Sequence, residues 1–459
     1  MRVRPPQGRR IIKEGLRGEV EGGMVPIQSL KTRNHRLERD IARIRASPSL
    51  RLGAHITNAI RKPWLAPFLL FTLPFLMLQI GFELLGKKAP PDTTSVVPIE
   101  GQQPRKDTVM MFPTNGVGFG HFTRLLAVAR RMKSLDENLE VVFFTTMPTL
   151  HLLIPDGIPA HHLSGAKKFR DIDSDGWNAL VEEELTLAFE THRPGLFMFD
   201  GAFPYRGMLR AIKRQNMKKA WLRRGTFREG SRIPIDSIEH FDLIIHPEDS
   251  VSIVPDQLEH GCESITCSPI TMVRDDELLE RSAARRRLGV SQDAIVVYVQ
   301  LGAGKINDID SEVRLTVEAL KDQEDVEIVL GESLLGDRIQ VDVEGLHLLR
   351  DFPNSVYFNA FDFTIMAGGY NSFHEVIRFG LPTIFYPNLK TGMDDQLARV
   401  KEVEDGTNRI VVVHRDEANI RSAVDTMVSA LQDGTTTRSV QSSSNGADQL
   451  AADLLEKLN

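Results

Sequence analysis

"DTVMMFPTNGVGFGHFTRLLAVARRM", Asp107 to Met132, holds three kinds of segment in succession. Thr108 to Phe112 is a continuous apolar run that fits a buried strand, and it breaks at Pro113. Asn115 to Gly120 alternates glycines at Gly116, Gly118 and Gly120 and reads as a turn. From His121 onward, Leu125, Leu126, Val128, Ala129 and Met132 recur at helical spacing and give the helix one buried side. A strand, a glycine turn and a helix start in that order make an anion-binding corner, because the first N–H groups of a helix have no partner within it. The spacing is G-x-G-x-G-H and not the G-x-G-x-x-G of a dinucleotide site, and the next strand ends on Thr145 and Thr146 without an acidic residue. His121, among glycines that let a ligand come close, is placed to meet a reacting hydroxyl.

Outward from this corner the same rhythm repeats. Apolar runs "LEVVFFTT", "GLFMFD", "KKAWL" and "FDLIIHP" alternate with amphipathic stretches. A break near residues 247–262 is followed by "AIVVYVQLGAG", "DVEIVLG", "FDFTIMAGG", "LPTIFYP" and "NRIVVVH". Strand and helix in alternation predict an α/β fold with parallel sheets, and 459 residues are too many for one core. Two Rossmann-like, doubly wound domains facing across a cleft are therefore expected, over residues 107–255 and 256–459, with the final helix "ADQLAADLLEKL" returning to the first. The second domain carries two more glycine turns at strand ends: Gly302, Ala303 and Gly304, and then Gly368 and Gly369 running through Tyr370, Asn371 and Ser372 into a helix that bears Glu375. Ligands of open α/β sheets sit outside the carboxyl ends of the strands, so the three turns should converge on one nucleotide diphosphate. Phosphate oxygens would meet backbone N–H groups and the Asn371 or Ser372 side chain, and Glu375 would accept from a sugar's vicinal hydroxyls.

Residues 1–106 differ in kind. Met1 to Lys62 holds 15 basic residues against five acidic ones, with Ile27, Leu30, Asn34, Leu37, Ile41 and Ile44 at heptad-like steps that predict either a homodimer seam over residues 27–44 or a helix lying on another surface. "PWLAPFLLFTLPFLMLQIGF", Pro63 to Phe82, is long and apolar enough to cross a membrane, though Pro67 and Pro74 interrupt it. Gly86 to Lys106 reads as a linker. The chain's net charge of −6 and mixed charge signs exclude wholesale nucleic-acid binding. Cys262 and Cys267 lack the second pair that a zinc site needs.

"AGGYNSFHEVIRFGLPTIFYP", Ala367 to Pro387, followed by "DDQ" at Asp394 to Gln396, resembles the donor-binding motif of GT-B glycosyltransferases, most nearly family 28, which includes the N-acetylglucosaminyltransferase that completes lipid II. Gly369, Ser372, Glu375, Gly380, Leu381, Pro382 and Pro387 fall in register, and the turn ending in His121 is similar to that family's N-terminal glycine loop. The resemblance implies a GT-B fold. It further implies that Gly368, Gly369 and Ser372 hold the donor diphosphate, Glu375 the ribose, Asp395 and Gln396 the donor sugar, Gly302 to Gly304 the phosphates, and His121 the reacting centre. Phe119 stands where the lipid II enzyme has a small residue, so the acceptor need not be the same.

Glycosyl transfer requires a base and positive character under the departing diphosphate, which a helix N-terminus can supply without a metal. His121 is the first choice of base because its ordinary pKa lies near neutrality, with capping of the tight turn as its alternative role, and Asp200, which ends "GLFMFD" at the cleft edge, is the second, with helix capping as its alternative. The Asp171/Asp173 and Asp308/Asp310 spacings read as loops or helix caps, so no metal and no cofactor beyond a nucleotide-sugar, a UDP-sugar by preference, is expected. Arg206 to Arg232, with ten basic residues and one acidic, suits an anionic leaflet, a phosphorylated acceptor or simply a solvated face. A spanning segment at Pro63 to Phe82 would by its basic flank put residues 89–459 outside the cell, away from nucleotide donors, so the expected alternative to a span is a segment that lies in or dips into the cytoplasmic leaflet, held by its apolar face and the basic arm. The expectation is a glycosyltransferase on the cytoplasmic face of the membrane, acting on a lipid-linked or glycan acceptor. A non-hydrolysing sugar-nucleotide epimerase and an inactive scaffold share the fold and are its rivals.

Overall fold

A computed structural model describes residues 44, 46–85, 103–114, 118–169, 172–213, 215–224, 235–251, 262–302, 309–332, 346–391, 394–439 and 444–458. The chain forms two compact units, Met1–Gly101 and Gln102–Asn459.

In the first unit, helix α1 (Pro48–Arg61) starts at Ser47, whose hydroxyl caps the Leu50 N–H, and has proline at its first position, where a missing N–H costs nothing. A short 3-10 turn, Pro63–Phe68, leads into α2 (Leu69–Leu84), which keeps Pro74 inside it. The dimer seam expected over residues 27–44 lies outside the described residues except for Ile44, which is exposed.

The second unit has two parallel sheets. The first runs in the order β3-β2-β1-β4-β5-β6-β7, from β1 (Arg105–Pro113), β2 (Glu140–Thr145), β3 (Ala160–His162), β4 (Pro194–Asp200), β5 (Lys218–Leu222), β6 (Leu243–Pro247) and β7 (Glu263–Cys267). The second runs β10-β9-β8-β11-β12-β13, from β8 (Ile295–Gln300), β9 (Val326–Gly331), β10 (Leu346–Leu349), β11 (Phe363–Met366), β12 (Thr383–Phe385) and β13 (Arg409–Val411).

Alternate residues of each strand enter opposite layers, as the pleat requires. From β1, Met110 and Phe112 join Trp177 and Val181 of α4 (Ser174–His192) and Met208 of α5 (Arg206–Lys213). Val109 and Met111 join Leu125, Leu126 and Val128 of α3 (Gly120–Leu135) on the other face. In the second lobe Val297 and Val299 pack on α7 (Ile309–Lys321) and α10 (Glu417–Gln432), while α6 (Arg281–Leu288) and α8 (Tyr370–Arg378) lie with the layer that reaches across to the first lobe.

Two expected boundaries move. Strand β7 pairs in parallel with β6, Leu243 opposite Glu263 through Pro247 opposite Cys267, so the first lobe extends past residue 256 to Cys267. Strand β1 begins at Arg105, inside the stretch read as linker, because its N–H bonds to the Arg193 carbonyl at 2.7 Å. The last helix, α11 (Gly446–Leu458), does return: Leu450, Leu454 and Leu458 are buried in the layer of α3, and Arg131 meets Asp448 at 2.9 Å.

Candidate active site

In the first sheet β1 and β4 are neighbours whose crossovers lead away in opposite directions, and β8 and β11 are the same pair in the second sheet. Loops leaving the carboxyl ends of such a pair diverge and leave a crevice. The turn after β1 and Asp200 at the end of β4 lie at the first switch point, and Gly302 and Gly368–Gly369 at the second. The Thr114 N–H bonds to the Asp200 carbonyl at 2.9 Å. Gly201 permits that approach, because a Cβ there would lie 2.5 Å from Thr114 Cγ2 and 2.6 Å from the Phe199 ring.

His121 stands in the first turn of α3, with Nδ1 2.6 Å from Asp200 Oδ1. One turn further along, Arg124 grips the same carboxylate with Nε 3.0 Å from Oδ2 and Nη2 2.8 Å from Oδ1. Asp200 and Arg124 are buried, whereas the His121 side chain keeps 18% of its surface exposed. Burial works to raise the Asp200 carboxyl pKa, but Arg124 and His121 outweigh it and hold the group below the usual carboxylate range. Burial is the main force pushing His121 below its ordinary value, with Arg124 and Arg224 acting in the same direction and Asp200 against it. The imidazole is therefore neutral near pH 7. Nδ1 also lies 2.9 Å from Arg124 Nη2, but the shorter contact is to the carboxylate, which only accepts, so we assign the ring proton to Nδ1 and leave Nε2 its lone pair. A neutral histidine oriented by a carboxylate that stabilises its protonated form is the working part of a general base.

Across the crevice Gly369 caps α8 without a side-chain bond to the first-turn N–H groups. Asn371, in that turn, spans the lobes: its Oδ1 accepts from Arg124 Nη1 at 3.1 Å and its Nδ2 donates to the Gly120 carbonyl at 3.2 Å. The two corners predicted from sequence thus adjoin. Gly368 must lack a side chain, since a Cβ would come within 2.7 Å of Val400 Cγ1, whereas Gly369 faces open space. Gly302 has φ of 105°, a left-handed backbone that favours glycine. Ser372 is half-buried beside Asn371. Glu375 accepts from Ser355 Oγ at 3.1 Å, and burial pushes its carboxyl up to about 7. Gly118 and Gly120 are described; Asn115, Gly116, Ala303 and Gly304 lie outside the described residues.

Asp395 and Gln396 are engaged locally. Asp395 caps α9 (Gln396–Lys401) by accepting from the Ala398 N–H at 3.0 Å, and buried Gln396 accepts from the Asn388 N–H at 2.9 Å. Asp173, one of the spaced aspartates, caps α4 through the Gly176 N–H at 2.7 Å.

Sequence reasoning missed the polar seam that joins the lobes. Asp249, just past β6, takes Arg399 Nε at 2.9 Å and Nη2 at 2.8 Å, and His374 Nε2 lies 3.2 Å from it. Arg399 also donates to Asp394 at 2.7 Å and to the Gly368 carbonyl at 2.9 Å, and Arg224 reaches the same Asp394 at 3.0 Å. Tyr370 sits at the centre, its hydroxyl donating to the Glu248 carbonyl at 2.8 Å, with the Arg124, Arg224 and Arg399 guanidinium carbons 5.4, 5.2 and 5.6 Å from its ring. Phe119 of the glycine turn adds a ring contact to Phe352 of the other lobe at 5.7 Å. Of these, Phe119, Tyr370, His374 and Asp394 lay in stretches that the sequence singled out and Arg224 in its basic run, but their pairing across the lobes did not show there; Arg124, one helical turn from His121, and Asp249 and Arg399 emerge only with packing.

No family model matches the chain, and no curated protein matches it in sequence. Solved structures do. The glycotransferase of kitacinnamycin is 14% identical, covers 76% of this chain and 98% of its own, and gives a TM-score of 0.51. The spinosyn forosaminyltransferase SpnP is 14% identical over 76% of this chain and 94% of its own, at 0.50. The MurG of Acinetobacter baumannii is 16% identical over 76% and 99%, at 0.48. The fold is GT-B. Its two parallel-sheet lobes are those expected from the sequence rhythm.

Proposed function

We propose that this protein transfers a sugar from a nucleotide-diphosphate donor, a UDP-sugar, to a hydroxyl of a lipid-linked or glycan acceptor, without a metal and with inversion at the anomeric carbon. The observation that carries the reading is the adjacency of the His121–Asp200 pair to the open first turn of α8, bridged by Asn371. His121 Nε2 takes the proton of the acceptor hydroxyl as its oxygen attacks the anomeric carbon. The bond from that carbon to the diphosphate oxygen breaks, and the departing UDP keeps the electron pair. Backbone N–H groups of Tyr370 to Ser372 and the positive end of the α8 dipole meet its charge. Asp200 stabilises the imidazolium that forms. The motif from Ala367 to Pro387 supports a family 28 type of donor site and an N-acetylhexosamine or hexose as the sugar. The basic N-terminal arm and the apolar segment after it support work at the cytoplasmic face of an anionic membrane.

Thermal unfolding with added nucleotide tests the donor site, because a ligand that binds only the folded state raises stability by RT ln(1 + [L]/Kd). UDP should raise the midpoint more than GDP does; no rise with either nucleotide sinks the reading.

A further inference from the structure

The first unit decides how the membrane is met. The segment Pro63–Glu83 is 21 residues long and apolar enough to span a bilayer. In the structure it does not stand alone. Arg51 of α1 holds Glu83 at the far end of α2 with Nη1 2.6 Å from Oε2 and Nη2 3.2 Å from Oε1, and both side chains are largely buried. His55 Nε2 lies 2.8 Å from Thr72 Oγ1. Two of the few polar side chains of α2 are thus satisfied by α1, which folds back along it as a hairpin. The inward seam of α2 is Leu69, Leu73, Leu76, Ile80 and Glu83, at steps of three and four. The outward face is Phe71, Phe75, Leu78 and Phe82, which remain exposed at 77, 71, 59 and 42%. Soluble proteins rarely leave so continuous an apolar face open to water.

Resting on the proposed membrane reading, we infer that Pro48–Leu84 is an in-plane anchor: the hairpin lies in one leaflet of an anionic bilayer with its apolar face in the acyl boundary, and neither helix crosses. If α2 spanned, the Arg51–Glu83 and His55–Thr72 bonds would carry α1 into the hydrocarbon, where its exposed Thr57, Asn58 and Arg61 would have no polar surroundings. Lying flat, those groups stay at headgroup level while Phe71, Phe75 and Leu78 are buried. The occupant is an anionic lipid surface because of charge: Met1 to Lys62 carries 15 basic residues against five acidic ones, immediately before the apolar face.

Trp64 makes the test direct. It is 68% exposed, whereas Trp177 and Trp221 are buried at 4 and 0%. The full chain is mixed with vesicles of equal parts phosphatidylglycerol and phosphatidylcholine. Tryptophan emission should shift to the blue, the shift should vanish in Trp64→Phe, and pure phosphatidylcholine should bind about tenfold or more weakly. Depth is then read with a Trp64→Phe, Phe75→Trp variant. An in-plane hairpin gives stronger quenching by lipids brominated near the carbonyls than by lipids brominated near the chain ends. The reverse order overturns the in-plane inference and leaves membrane binding standing. No vesicle-induced shift overturns the membrane reading itself, and Trp64 emission already blue without vesicles overturns it too, since protein would then cover the face. Nucleotide-induced thermal shifts of the second unit are independent of all these outcomes.

Discussion

The two corners of the cleft are built from opposite materials. At the start of α3 side chains supply the polarity: a histidine, a carboxylate and a guanidinium within 3.0 Å of one another, the last two buried. At the start of α8 the first turn presents glycine, tyrosine, asparagine and serine, and its polarity comes mainly from the backbone. Side-chain charge can be tuned and titrated; a helix terminus is a fixed partial charge that leaves room for a ligand. The contrast supports the proposed division, proton transfer in the first lobe and donor binding in the second, and it can be broken by experiments that hit one corner without the other.

The largest expected effect is His121→Ala. Loss of a positioned general base lowers kcat by about 10²–10⁴, while the UDP-induced thermal shift should stay near that of the parent. If UDP binding falls with the rate, the division between corners is wrong. Next comes the seam that holds the corners together. Asp249→Ala leaves the fully buried Arg399 with Asp394 as its remaining carboxylate partner, so a cost of about 3 kcal/mol is expected, the low end for breaking a buried pair. Chemical denaturation of the full chain measures it, and a loss under about 1 kcal/mol would mean that the lobes are not held at this point.

Much of this contrast was legible in the sequence, for a physical reason. Strands buried on both faces read as unbroken apolar runs, so β1, β2, β4, β8 and β11 declared themselves, and glycines at their ends marked the corners. The edge strands β3 (Ala160–His162), β7 (Glu263–Cys267) and β10 (Leu346–Leu349) did not, being short and partly solvated, and missing β7 misplaced the lobe boundary. His121 and Asp200, which adjoin in the structure, stood out in the sequence because each abuts a turn. Asp249, His374 and Arg399 did not, since a charge on a helix or loop reads as solvated until packing brings its partner from more than a hundred residues away.

Glu375 sharpens the second corner. Burial raises its carboxyl to about 7, so it is protonated below that pH and ionised above it. Only the ionised form accepts hydrogen bonds from two vicinal hydroxyls with both oxygens. UDP affinity should therefore rise with pH between 6 and 8, by up to about tenfold, as the ionised fraction grows. Titration calorimetry across that range reads the effect, and Glu375→Gln should flatten it. A flat profile in the parent protein would remove Glu375 from the ribose site.

The smallest effect separates both corners from the rest of the first lobe. At that sheet's edge His161 Nε2 faces His192 Nε2 at 2.9 Å, His192 Nδ1 lies 2.9 Å from Glu140, and Arg105 holds Glu140 from the other side at 2.9 Å. One proton between the two Nε2 atoms makes a hydrogen bond; two make a repulsive pair. Burial first, and His192 second, push His161 below its ordinary pKa, so as pH falls through 6.5 the unfolded chain takes up protons that the folded one refuses. Stability should drop on acidification and not on raising the pH. The cluster is partly exposed and screened by solvent, which limits the loss to a few tenths of a kcal/mol, a midpoint shift on the order of one degree between pH 7 and 5.5. Scanning calorimetry of the parent beside His161→Phe isolates it. If acid lowers activity in both proteins alike while only the parent loses thermal stability, the activity change belongs to the corners; if His161→Phe removes both losses, acid acts on the lobe as a whole and the corner argument from pH fails.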